Sequence, residues 1–504
     1  MSSRVRGWII AGSAVVLVGI GALWLASPAL SRVVEARVRS GLTAQFGGQV
    51  DVRSLHVTLF PRTRVEGEDL VLHGLTNLPP LISIKKFSAD ATITGLLRRP
   101  PHASLVRIEG LRIAVPPRSE RGQQEHASGK GSTPAFVLDQ VIADGTTLTM
   151  IPGDASKDPL EWDIRRLTLF GAGPQGALTF RATLTNARPP GEIESTGKFG
   201  PWATEEPGDT PVSGAYTFQN ADLSVFQGIS GRLSSNGKYA GVLARIEADG
   251  QTDTPDFAVT LSGNPVHLTT QFHAIIDGTD GDTQLQPVNF QFGKSALTAQ
   301  GSVEGIKGVK GKTVSLDVTT VNARLEDMLL LGVKGKKPLM RGAMGFKTKL
   351  VVPSDHDNIP QTLKLDGSFS ANSAHFTQLN IQEKVNKLSH SGKGEPEESD
   401  EDTVASDFAG RFRLDSGVMA LQNVSFRVPG VGVFLHGTYG IVSQQLDFHG
   451  TARLEVPLSQ ATTGAKAFFL KLVDPLFKKK NAPGAVIPIK IGGNRESPSF
   501  GLDL

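Results

Sequence analysis

One rhythm constrains this chain more than anything else in it: short runs in which every second residue is apolar, closed by glycine. In the stretch NVSFRVPGVGVFLHGTYG, Val424, Phe426 and Val428 alternate with Ser425 and Arg427. After Pro429-Gly430, Val431, Val433 and Leu435 alternate with Gly432, Phe434 and His436. Successive side chains of a strand point to opposite faces, so such a run makes one apolar face. The same unit returns along the chain. Leu178, Phe180, Ala182 and Leu184 form one run, and Phe257, Val259 and Leu261 another. Val266, Leu268, Phe272, Ala274 and Ile276 oppose His267, Thr269, Gln271 and His273. Val288, Phe290 and Phe292, then Val314, Leu316 and Val318, then Leu363, Leu365 and Phe369 continue it. Glycine and proline together make up about 17% of the chain, above the ~12% average, as many turns require. The prediction is a mainly β fold with few short helices.

The length, 504 residues, exceeds what one compact core usually holds. The net charge of +3 lacks the basic excess of a nucleic-acid binder, so no nucleic-acid partner is expected. The absence of cysteine excludes disulfides, thiolate chemistry and cysteine metal sites.

Trp8–Ala26 is uncharged and apolar over 19 residues. As a helix it would measure about 28 Å, close to the ~30 Å hydrocarbon core of a bilayer. Arg4 and Arg6 precede it, and Trp8 and Trp24 sit near its ends, where interfacial rings are favoured. A retained single-pass anchor is expected, with the N-terminus inside. The rival is a cleaved signal peptide, whose apolar region is usually about 7–15 residues. Residues 1–28 are therefore read as tail and anchor. In residues 29–115, a short helix with Leu30, Val34, Val38, Leu42 and Phe46 in one stripe leads into strands, with a bend near Arg53. Residues 116–134, polar and rich in Gly, Ser and Pro, read as a flexible insertion. Residues 135–365 form a central β region and 366–504 a C-terminal one.

Helices are expected at Arg324–Gly332 and in TQLNIQEKVNKLS, where Ile381, Val385 and Leu388 share a face. The acidic loop 392–404, with six acids between Glu395 and Asp402, reads as solvated chain. Residues 459–480 contain an amphipathic, basic helix. Phe468, Phe469, Leu472, Leu476 and Phe477 lie on its apolar stripe, among lysines suited to an anionic membrane surface or to the end of a sheet.

No catalytic constellation stands out. His267 and His273 share a strand face but lie about 20 Å apart, too far to hold one zinc ion. SGKGST lacks the order of a phosphate loop, and DGTDGDT lacks the glycine and distal glutamate of a calcium loop, so a hairpin turn is expected there. Neither an enzyme nor a cofactor is expected.

The order of segments resembles the AsmA-like family, of the AsmA and TamB type, related to bridge-like lipid-transfer proteins. The likeness rests on the apolar N-terminal segment followed by GGQVDVRSLHVTLFPRTRVEGEDLVLHG, and on PVSGAYTFQNADLSVFQGISGRLSSNGKYAGVL. GSFSANSAHFTQLNIQEKVNKLS, NVSFRVPGVGVFLHGTYG and the closing VIPIKIGGNRESPSFGLDL carry the rest. The resemblance implies a bacterial inner-membrane anchor and an elongated, twisted antiparallel β-sheet body in the periplasm. It implies a role in envelope biogenesis, with phospholipid acyl chains held along an apolar groove. Alternation parity then nominates Leu178, Phe180, Leu184, Val266, Leu268, Phe272, Phe290, Leu316, Leu365, Val424, Phe426, Val428, Val431, Val433 and Leu435 as groove lining. The alternative is a non-enzymatic scaffold or chaperone-like factor for outer-membrane protein assembly, with an envelope protein as partner.

Overall fold

The structure is a computed structural model. It describes Ala36 and residues 50–503, apart from segments 59–62, 74–79, 116–136, 152–158, 173–175, 204–206, 355–358, 394–403 and 456–485 and scattered shorter gaps. The expected anchor at Trp8–Ala26, the helix after it, the insertion at 116–134, most of the acidic loop and the 459–480 helix lie outside the described residues. Among the described residues, no helix is long and apolar enough to cross a membrane.

The fold is mainly β, as the alternation predicts, with 24 strands among the described residues. The chain divides into two compact units. The first contains β1 (Val50–Thr58), β2 (Arg64–Leu72), β3 (Ile82–Ala91), β4 (His102–Val115), β5 (Val137–Met150), β6 (Leu160–Ala172), β7 (Leu178–Ala187) and β8 (Pro190–Phe199). Strands β9 (Pro211–Asp222), β10 (Ile229–Ser230), β11 (Arg232–Val242) and β12 (Arg245–Val259) follow.

In the first unit, β1 to β8 pair in sequence order. One pair corrects the expectation of an antiparallel body: β4 and β5 run parallel, with Val106 opposite Val141. A parallel neighbour needs a crossover of a dozen residues or more, which the 21 residues between Val115 and Val137 supply. Alternation marks faces and says nothing of a neighbour's direction.

The bend expected near Arg53 is one point on a line that crosses six strands. Val52 and Leu55 are three residues apart yet both are buried. Across the ladder they oppose Leu70 and Gly67, which in turn oppose Ile84 and Phe87. Leu111 with Ile108, Thr146 with Ala143, and Ile164 with Leu167 continue the row. Every strand skips one residue at the same level, so the apolar face survives. Asp69, Gly110 and Gly145, at φ +48°, +65° and +65°, supply the left-handed turns on that line.

The second unit carries β13 (Val266–Ile276), β14 (Thr283–Phe292), β15 (Ser295–Gly305), β16 (Lys312–Arg324), β17 (Met340–Val352) and β18 (Lys364–Phe376). It continues through β19 (Ser406–Asp415), β20 (Val418–Val428), β21 (Val431–Gly440), β22 (Gln445–Leu454), β23 (Val486–Asn494) and β24 (Ser497–Gly501). Here every neighbour is antiparallel. The helices Leu325–Gly332 and Leu379–Lys393 form where the sequence predicts them. Asp277–Asp282 is a hairpin turn, closed by the Asp277 N–H donating to the Asp282 carbonyl.

Candidate functional site

Directly opposed residues on antiparallel strands share a face, so the register traces the surface of the second unit row by row. One row runs from Phe272 through Val288, Ala299, Val318, Thr348 and Gly367 to Phe412, Leu421, Gly437, Phe448 and Ile491. A second contains Leu285, Gly301, Leu316, Leu350, Leu365, Leu414, Met419, Tyr439 and Leu446. Eleven strands thus present one apolar face. At a strand spacing of about 4.8 Å, ten gaps make a path of roughly 48 Å along the sheet.

All twelve nominated residues of this unit lie on that face. Aromatic contacts knit it together: Phe408 and Phe426 are 4.8 Å apart between ring centroids, and Phe346 stacks on Phe412 at 5.5 Å. Phe346, Phe408 and Phe412 were missed by the sequence reading, although DFAGRFRLD, which holds the last two, alternates as plainly as the chosen runs. Leu178, Phe180 and Leu184 lie on β7 in the first unit, opposite Phe199, Gly197 and Ile193. They join that unit's own apolar face and are half-buried. The nominated membrane-surface residues Phe468, Phe469, Leu472, Leu476 and Phe477 lie outside the described residues.

Burial across the face of the second unit is uneven. At one rim of strand ends the side chains are sealed: Val428, Val431, Leu454 and Ile487 cluster with Val385 of the helix Leu379–Lys393. Polar bonds fix that helix. Ser389 Oγ donates to the Pro429 carbonyl at 2.7 Å, and Gln382 Oε1 accepts from the Phe376 N–H at 2.8 Å. The other helix, Leu325–Gly332, packs Met328 and Leu331 against Phe292, Leu297 and Val318 on the same rim. Towards the opposite rim, Leu414 on β19 is buried, but Leu316, Leu350, Leu365, Leu421, Leu435 and Phe448 are only half-buried. Tight turns such as Ser416-Gly417 and the one-turn helix Ile359–Thr362 lie there, while the two longer helices leave the sealed rim.

The reverse face is polar and orders its charges. Asp317, Lys349, Asp366 and Arg413 stand directly opposite one another across four strands, alternating in sign. Opposed unlike charges favour this register, and a slip of one residue would turn the apolar face to water. His267 and His273 are each taken by a separate carboxylate: His267 Nε2 pairs with Asp253, and His273 Nδ1 with Asp249 at 2.8 Å. A shallow hollow of about 330 Å³ on this side is lined by hydrogen-bonding groups, among them Asn236, Gln251, Gln271, Asn289 and Gln291.

Neither a family model, nor a curated protein, nor a solved structure matches the chain.

Proposed function

We propose that this is an envelope protein of the AsmA-like type that holds or conducts phospholipid acyl chains along the apolar face of its sheet. The observation that carries the reading is the eleven-strand apolar face, most of whose side chains stay half-buried towards one rim. A sheet face that is only structural core is closed by a second layer, because exposed apolar area costs about 25 cal/mol per Å². Here helices close one rim, and acyl chains would complete the rest. The path of roughly 48 Å exceeds one leaflet's hydrocarbon depth of about 15 Å several times, so several chains could lie in it. Each buried methylene would contribute about 0.8 kcal/mol. Trp8–Ala26 would anchor the chain in the inner membrane, with the β body in the periplasm. No catalytic step is required.

Photo-crosslinking in cells tests this. A photoreactive residue placed at Leu365 or Phe426 is expected to yield phospholipid adducts by mass spectrometry, and one at Ser368, on the reverse face, none. Adducts to an outer-membrane protein at Leu365 and Phe426, with no lipid, would replace this reading with the scaffold function.

A further inference from the structure

We propose that the loop 333–339 of the second unit, together with the turn 261–264, is a docking surface for an anionic lipid bilayer. Lys334, Lys336 and Lys337 are exposed within four consecutive positions, and no ion pair or hydrogen bond engages them among the described residues. Two large apolar side chains flank them in the open: Leu339 is 44% exposed and Leu261 is 43% exposed. Cations beside projecting leucines are the chemistry of a bilayer surface, where lysines meet lipid phosphates and leucines enter the acyl boundary.

The loop is pinned at both ends. Asn264 Nδ2 donates to the carbonyls of Leu330 at 2.9 Å, Val333 at 3.1 Å and Gly335 at 2.9 Å. These bonds tie the turn bearing Leu261 to the loop bearing the lysines. At the far end, Thr377 donates through its N–H to the Leu339 carbonyl and through its hydroxyl to the Pro338 carbonyl. A surface fixed in this way loses little freedom on binding. The nearest acids in sequence are committed elsewhere: Glu326 accepts from the Gly342 N–H, and Asp327 from the Lys294 N–H and the Ser295 hydroxyl. One lysine after the helix Leu325–Gly332 is what the helix dipole favours. Three, with two exposed leucines, exceed that need. The surface lies at the sealed rim, and its argument is independent of what occupies the apolar face.

The chain has no cysteine, so single cysteines can carry a polarity-sensitive fluorophore in the full-length protein. Leu339→Cys reads the surface. Val442→Cys, 63% exposed in a turn of the opposite rim, is the control. The protein is reconstituted in vesicles of phosphatidylcholine, alone or with about 30% phosphatidylglycerol. The expected result is a blue shift at position 339 on the anionic vesicles only, reversed by high salt, with position 442 unchanged. Removing the lysines as Lys334→Ser, Lys336→Ser and Lys337→Ser should weaken the response about fivefold per lysine. An equal shift on neutral vesicles, an undiminished shift in the triple variant, or no shift at all overturns the proposal. So does a shift produced by polyglutamate but not by vesicles, which would assign the surface to an acidic protein.

Discussion

Leu421 and Val424 are three residues apart, yet both face the apolar side: Leu421 opposes Gly437 and Val424 opposes Leu435. Asn423, at φ +50°, lies within the extra step. A left-handed conformation suits asparagine far better than a β-branched residue. Asn423→Val is expected to lower stability by about 1–2 kcal/mol, and Asn423→Gly to leave it near wild type. Deleting Asn423 would set Leu421 and Val424 two residues apart, in regular alternation, so both would keep the apolar face without the bulge. Urea unfolding should rank Asn423→Gly above Asn423→Val, and equal midpoints would mean that the left-handed turn carries no cost for valine.

The two rims of the face should respond differently to truncation. Leu454 is 1% exposed beneath the helix Leu379–Lys393, so Leu454→Ala leaves a cavity and should cost about 2–5 kcal/mol. Leu435, half-buried towards the open rim, already meets solvent or a ligand, and Leu435→Ala should cost about 1–2 kcal/mol. Equal losses in chemical denaturation would mean that the face is packed uniformly.

Much of this was legible in the sequence, for a physical reason: strand parity is local. Val424, Phe426 and Val428 declare their face by spacing alone, and Val385 declares its helix the same way. What was hidden depends on pairing. Gln286-Pro287 carries the irregularity that keeps Leu285 and Val288 on one side, but in sequence it is only two more residues. The parallel β4–β5 pair leaves no mark in alternation. Nor does spacing tell which rim a helix will close, because neighbouring strands ending at that rim decide it. Asn264, which fastens a loop about 70 residues away, had no local signal at all.

Gly67 stands opposite Phe87, and the Phe87 ring occupies the space that a side chain at position 67 would need. Gly67→Ala should therefore destabilise the first unit by about 1–3 kcal/mol through overpacking. The paired change Gly67→Ala with Phe87→Leu should recover part of that loss. A double-mutant cycle by thermal or urea unfolding measures the coupling, and additive effects would show that the ring can move aside freely.

Acid should loosen the first unit through Asp90. Burial alone would push this carboxyl up, but Arg64 Nε at 2.8 Å and Arg107 Nη1 at 3.1 Å outweigh it and hold the pKa below the ordinary 3.8. A folded-state pKa below the unfolded value means that the unfolded chain takes up the proton first. The stabilisation is then complete above pH 3.8, declines as the pH falls below it, and is gone once the folded-state carboxyl is protonated as well. Asp90→Asn should lower stability at neutral pH and flatten its decline between about pH 4 and 2. Urea midpoints measured across that range would show it, and a variant whose midpoint falls in parallel with wild type would place the acid sensitivity on another carboxylate.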